Sequence, residues 1–211
     1  MFTGKRRGAF FLIASGFGLA ASWWRSNYTI NSTSLITFWR RRLLRILPLY
    51  WLAHILALII AWIQPDWVPF GQDILQSGFR AIEALLFSLT TLRNFVSTYF
   101  YFLNPTWWYI GLSVQLYLIF PLLILIGKRW GWSFLLFASL FISLIYRILI
   151  LYFPGINLGA KELMLGAMFP ARLFEFVFGI VLAISILEIN NQDINNIRLW
   201  QLNLLFTELS L

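Results

Sequence analysis

The 211-residue sequence has no cysteine, one histidine and only eight acidic residues, and each shortage removes a class of chemistry. Without cysteine there is no disulfide, no thiolate nucleophile and no thiolate-held metal, and the redox state of the compartment leaves no trace. A single histidine is too few for a dedicated histidine metal site. Charge of either sign is sparse: 11% of residues are charged and 60% are hydrophobic. So much apolar material cannot be hidden from water in a chain of this size, and it is gathered into runs of bilayer-spanning length. The chain reads as all-α, a multi-pass transmembrane helix bundle. Its net charge of +8 sits beside the apolar runs rather than along a soluble face, so the partner it implies is the lipid bilayer and not nucleic acid.

Five spans are expected, with one further apolar segment that does not cross. The first covers Gly8 to Trp24, after Lys5, Arg6 and Arg7. A secretory signal would look similar at its start, but this run continues into Trp23, Trp24 and Arg25, as an interfacial anchor does. The second span runs from Ile46 to Ile63, before the polar QPDWVPFGQD loop. The third runs from Trp107 to Ile126; Pro121 within it must free the carbonyl of Tyr117. The fourth covers Trp132 to Phe153, closed by Pro154 and Gly155, and the fifth starts near Pro170 and ends at Ile189. Residues 1–189 thus form the membrane domain, and 190–211 a polar, amphipathic tail. Ala81 to Leu103 is apolar but carries Glu83, Arg93 and Asn94. If it crossed, the basic runs Arg40 to Arg45 and Lys128, Arg129 would fall on opposite sides, so the positive-inside rule makes it interfacial or re-entrant.

The stretch RRRLLRILPLYW, Arg40 to Trp51, joins four arginines to an apolar run opening on a proline. It supports two readings: a positive-inside anchor at the lipid headgroups, or, if helical, a cluster of forked guanidinium groups able to grip phosphate. Among the remaining polar groups, His54 is the one side chain with an unperturbed pKa suited to base work near neutrality, and it sits midway along its span. It reads either as a general base or as a neutral imidazole bonded to a neighbouring helix. Arg172 and Glu175, three apart, form either an ion pair within their helix or an acceptor site. Arg147 lies near its helix end and can snorkel. Trp107, Trp108 and Tyr109 read as an interfacial belt or as a platform for a sugar ring. Gly16 and Gly18, beside Ser15, allow close helix approach. Asn27 and Asn31 open sequons on the side taken as cytoplasmic, where they carry no weight.

Several of these strings resemble the acyltransferase-3 family of integral-membrane O-acyltransferases. FFLIASGF, Phe10 to Phe17, is similar to the family's SGF helix, and RRRLLRILP, Arg40 to Pro48, to its RxxR signature followed by Leu-Pro. WYIGLSVQLYLIFPLL, Trp108 to Leu123, resembles the segment of form WSLxxExQFYLxxP, and FPARLFEFVFGIVLA, Phe169 to Ala183, a later helix of the family. The four occur in the family's order. The resemblance implies transfer of an acyl group, acetyl above all, from acyl-CoA as co-substrate to a hydroxyl of a glycan or lipid-linked sugar, in the bacterial cytoplasmic membrane, with no bound cofactor or metal. It implies donor-phosphate contacts for Arg42 and Arg45, and makes Trp108, Ser113, Gln115, Arg172 and Glu175 candidates for the acceptor pocket.

The departures from the pattern bear on activity. The family's catalytic histidine lies on a helix before the SGF helix, with a basic residue at a fixed distance ahead of it, and the sequence does not include that helix. His54 lies after RxxR, with Leu43 where the basic residue would stand. Ser113 occupies the position of the family's acid, although Gln115 matches its glutamine. The family catalytic residue is therefore unassigned, with His54 the candidate that chemistry alone offers, and the chain by itself is expected to be weakly active or inactive. The rival class is a non-catalytic multi-pass protein, transporter-like or an assembly subunit, in which Arg147, Arg172, Glu175 and His54 serve packing or conduction.

Overall fold

A computed structural model describes the backbone of residues 3–26, 31–68 and 71–208, and the side chains of residues 8–26, 31, 33–68 and 71–189. Among the described residues every regular element is helical: α1 (Thr3–Arg25), α2 (Ser32–Ile63), the one-turn α3 (Gln72–Leu75), α4 (Phe79–Leu89), α5 (Trp108–Trp130), α6 (Trp132–Tyr152), α7 (Leu158–Ala167) and α8 (Phe169–Glu208). Short 3-10 turns at Pro65–Trp67, Leu92–Phe95, Ser97–Tyr99 and Pro105–Trp107 complete the connection from α2 to α5. The chain divides into two compact units, Met1–Tyr28 with Glu175–Leu211, and Thr29–Phe174.

Burial is inverted relative to a soluble protein. On α6, Ser139 and Ser143 are buried while Phe134, Phe137, Phe141, Ile145 and Ile148 are exposed. Only lipid favours apolar residues outward with hydroxyls turned in. Three helices are long and apolar enough to cross a bilayer among the described residues: Thr33–Ile63, Pro105–Trp130 and Trp132–Tyr152. In the smaller unit α1 lies against the later part of α8, where a Cβ at Gly16 would strike the carbonyl of Phe176 and one at Gly179 the carbonyl of Ile13. Glycine is required on both helices for that approach. Gly18, expected to serve the same end, faces open space.

In the larger unit α2 and α5 run antiparallel. Phe38 stacks on Phe120 with centroids 5.3 Å apart, the Trp39 indole donates to the Tyr117 carbonyl at 3.1 Å, and Tyr50 meets Trp107 at 5.6 Å. The carbonyl that Pro121 frees thus finds its donor on the neighbouring helix. Because the two helices are antiparallel, the connection between them begins and ends at one end of the pair. Its longest helix, α4, has 11 residues, about 16 Å at 1.5 Å per residue and well short of a hydrocarbon core of about 30 Å. Ala84 and Ser88 turn inward from α4 while Phe79, Ile82 and Leu86 are exposed, the amphipathic arrangement of an interfacial segment. The α5–α6 turn depends on Gly131 at φ 95°, a left-handed conformation that side chains resist.

Several boundaries differ from those expected: α1 starts at Thr3 rather than Gly8, and α5 runs on through Gly127, Lys128 and Arg129 to Trp130 rather than ending at Ile126. The second helix starts at Ser32, capped by the Asn31 side chain accepting from the Ser34 amide at 2.8 Å, rather than at Ile46. Nothing between Ser32 and Ile46 breaks a helix, and Leu and Arg are good helix formers, so the arginines lie within a continuous helix of 32 residues. The last helix continues past Ile189 to Glu208; the polar stretch there contains neither proline nor glycine to end it. The side chains of that tail, those of Lys5, Arg6 and Arg7, and Asn27 lie outside the described residues.

Cysteine introduced at Thr33, Gln76 or Ser133, on a parent without thiols, tests the arrangement with an impermeant maleimide. Thr33 and Ser133 should be labelled from the cytoplasmic side and Gln76 from the other; Gln76 reacting together with Ser133 would disprove it. Trp39→Phe should lower stability by about 1–3 kcal/mol, the usual cost of a buried acceptor left unmet. Thermal unfolding in detergent reads this, and an unchanged midpoint would show that the Tyr117 carbonyl has another donor.

Candidate functional site

A buried polar centre lies where α2, α4 and the turns before α5 meet. His54 on α2 is 1% exposed, and Ser88 and Arg93 are 0% exposed. The His54 Nε2 lies 2.6 Å from the Ser88 hydroxyl, and its Nδ1 lies 2.9 Å from the Tyr50 carbonyl. Arg93 donates through Nη1 to the same hydroxyl at 3.2 Å, while the Tyr50 hydroxyl donates to the Ser88 carbonyl at 2.9 Å. The Trp107 ring lies against His54 with centroids 4.1 Å apart, and the Arg93 guanidinium sits 5.9 Å from that ring.

Arg93 also shapes its own loop. Its Nε donates to the Phe100 carbonyl at 3.1 Å, and its Nη2 donates to the carbonyls of Phe100, Phe102 at 2.8 Å and Asn104 at 3.2 Å. Between the last two stands Leu103 at φ 61°, a left-handed conformation that costs a non-glycine residue of order 1 kcal/mol and persists only where its neighbours are held. Burial pulls the Arg93 guanidinium below its ordinary pKa; it stays protonated near neutrality all the same. Arg93→Lys replaces the fork by a single ammonium and should leave one or more carbonyls unmet, at about 1–3 kcal/mol each. A lysine variant that unfolds at the parental temperature would show that the guanidinium is not what holds the loop.

A second polar node surrounds the break between α7 and α8. The backbone is extended at Met168 (φ −97°, ψ 137°), so carbonyls and amides on either side lose their helical partners. Asn94 donates to the carbonyls of Trp108 at 2.9 Å and Ala167 at 3.1 Å. Gln115 donates to Ala167 at 3.2 Å and accepts from the Phe169 amide at 3.1 Å. The Ser143 hydroxyl donates to the Pro170 carbonyl and accepts from the Phe174 amide, bridging the two groups an i to i+4 helical bond would join. Arg147 donates to the Ala171 carbonyl at 2.9 Å instead of snorkelling. Arg172 donates to the Gly166 carbonyl at 3.3 Å.

Of the expected pocket residues, Gln115 and Arg172 each bond backbone groups around the α7–α8 break. Ser113 is buried with its hydroxyl donating to the Tyr109 carbonyl one turn earlier at 2.8 Å. Trp108 is half-buried and packs against the cluster of Phe100, Leu163 and Ala167. Glu175 is half-buried on the α8 segment of the smaller unit. Arg42 and Arg45 share α2 with His54: Arg42 is half-buried and lies 5.8 Å from the Phe38 ring, and Arg45 is exposed. The α2–α5 register sets them level with residues 111–115, in the first two turns of α5. Along α2 they stand about 18 Å and 14 Å from His54.

The family model for an acyltransferase domain matches residues 9–210. The chain belongs to the acyltransferase-3 family. No curated protein and no solved structure matches the chain. The sequence pointed to His54 but not to its partners, because Ser88 is 34 residues away and reaches it only when α4 folds back along α2. The available signal was the pair Arg93, Asn94 in an otherwise apolar segment, polar groups that lipid does not tolerate unless they are bonded inward.

Proposed function

We propose that this member of the acyltransferase-3 family transfers an acyl group, acetyl first among candidates, from acyl-CoA to a hydroxyl of a glycan or lipid-linked sugar at the bacterial cytoplasmic membrane. That the chain is a membrane acyltransferase in general rests on the family match over residues 9–210. The finer reading is supported chiefly by the placement of Arg42, half-buried on α2 with Arg45 one turn on. Two guanidinium groups about one turn apart on one helix suit, by their forked geometry, the phosphates of coenzyme A. A donor held there by its phosphates has a long, flexible thiol arm, and α2 offers a path of about 14–18 Å from the arginines to His54. Transfer needs a base for the acceptor hydroxyl and charge stabilisation for the tetrahedral intermediate. His54 and Arg93 are groups of the right kind, in contact through Ser88.

Arginine-to-lysine substitution separates a phosphate site from an anchor. A lysine keeps the positive charge that sets topology and loses the fork, so Arg42→Lys and Arg45→Lys should insert normally and lose about tenfold or more in acetyl-CoA affinity, as the alanine variants do. The comparison is made by binding of labelled acetyl-CoA to membranes carrying each variant. Lysine variants that keep parental affinity would leave these residues as anchors alone.

A further inference from the structure

We propose that Ser88 is an acyl-accepting nucleophile, with His54 as its base and Arg93 beside its oxygen, so that transfer passes through an ester on α4. The proposal rests on the acyl-transfer reading above and adds a residue to it.

The position of the hydroxyl proton follows from the partners alone. The Tyr50 carbonyl, 2.9 Å from Nδ1, can only accept, so Nδ1 carries the hydrogen and Nε2 is a bare lone pair. Facing Nε2 at 2.6 Å, the Ser88 hydroxyl must therefore donate. Arg93 has hydrogens and no lone pair to offer, so its Nη1 at 3.2 Å donates to the same oxygen and cannot compete for the proton. Hydroxyl, base and a carbonyl orienting the base are the three parts of an activated nucleophile. A cation at the oxygen favours the charge that gathers there.

Holding α2 to α4 does not require this arrangement. The Tyr50 hydroxyl on the Ser88 carbonyl and the Trp51 indole on the Leu89 carbonyl at 3.1 Å already join the two helices. Trp107, half-buried, lies tilted against His54 with centroids 4.1 Å apart and comes from a three-residue 3-10 turn at Pro105–Trp107. It is the ring whose removal tests access to the pair.

The chemistry balances without an oxidant or reductant. Ser88 Oγ attacks the thioester carbonyl carbon and its proton passes to His54 Nε2; the carbon–sulfur bond breaks and the leaving thiolate takes the proton. In the second half the acceptor hydroxyl attacks the Ser88 ester and gives its proton to Nε2. The bond from acyl carbon to Oγ then breaks and Ser88 recovers the proton. The sum is thioester plus alcohol to ester plus thiol.

Two probes separate this step from the identity of the donor. Membranes carrying the full 211-residue chain are treated with radiolabelled acetyl-CoA or with a fluorophosphonate, which reports a base-activated serine independently of coenzyme A. Both should label the peptide that contains Ser88. His54→Ala should slow labelling by about 10² to 10⁴, the usual contribution of a general base, Trp107→Ala should speed phosphonylation, and Ser88→Ala should abolish both labels. S88C guards against misfolding of the alanine variant, since it keeps a nucleophile in place and supplies the chain's sole thiol for acetyl transfer from acetyl-CoA. Fluorophosphonate labelling at Ser88 without acetylation would uphold the nucleophile and remove acetyl-CoA as donor. Absence of label at position 88 from both probes, in the parent, in Trp107→Ala and in S88C, with cooperative unfolding intact, would overturn the proposal and leave the Arg42 and Arg45 reading to its own binding test. Label on a different serine, unaffected by Ser88→Ala, would overturn it as well.

Discussion

A backbone carbonyl released inside lipid has no water to turn to, and the arrangement of the larger unit follows from where each such carbonyl finds a donor. Pro121 frees the carbonyl of Tyr117, and Trp39 meets it from α2. The extended residue at Met168 frees carbonyls and amides around the start of α8, and Asn94, Gln115, Ser143 and Arg147 meet them from the preceding loop, α5 and α6. The loop before α5 turns its carbonyls inward onto Arg93. Each bond fixes the rotation of the helix that supplies the donor, because the side chain must face the freed group. The inverted burial of α6 is one result: with Ser143 and Arg147 committed inward, its phenylalanines are left to the lipid.

Much of this was legible in the sequence wherever one local cause acts alone. Apolar runs bounded by Gln64 and Pro154 gave spans whose ends fall close to the observed ones, since a helix in lipid stops where apolar residues stop, whereas α5 continues four residues past Ile126. The consequence of Pro121 could be stated in advance because the missing amide is covalent fact. The amphipathic shortness of α4 agrees with a segment that does not cross. The start of α2 was misplaced because hydropathy was used to find a helix that propensity and an Asn31 cap extend by more than three turns. Ser88 was beyond reach for a different reason: a serine in an apolar helix carries no mark of which residue, tens of positions away, it will face.

The depth of the arginines changes how the basic run bears on function. Read as flanking charge, Arg40 to Arg45 would mark a membrane face and nothing else. Set within α2 and level with the first two turns of α5, Arg42 lies beside the Phe38 ring, which itself stacks on Phe120, so the run stands alongside a helix of spanning length. The cost of holding charge there falls when the charge lies in a wetted or ligand-filled space between helices. That condition is what the proposed donor-phosphate role of Arg42 and Arg45 would meet.

Two sets of groups consequently share one helix at different heights, with Pro48 between them. Proline removes an amide and presses its ring on the preceding turn, so the Leu44 carbonyl loses its helical partner there. Such a point lets a helix bend, and bending would alter the distance between the arginines and His54 more readily than any change at either end. If Arg42 and Arg45 hold the donor's phosphates and Ser88 accepts its acyl group, as proposed, that distance must match the reach of the donor's arm. On that proposal the separation along α2 is a length constraint on the substrate: an acyl group carried on a phosphopantetheine arm can span it, whereas one joined directly to a phosphate, as in an acyl phosphate, cannot.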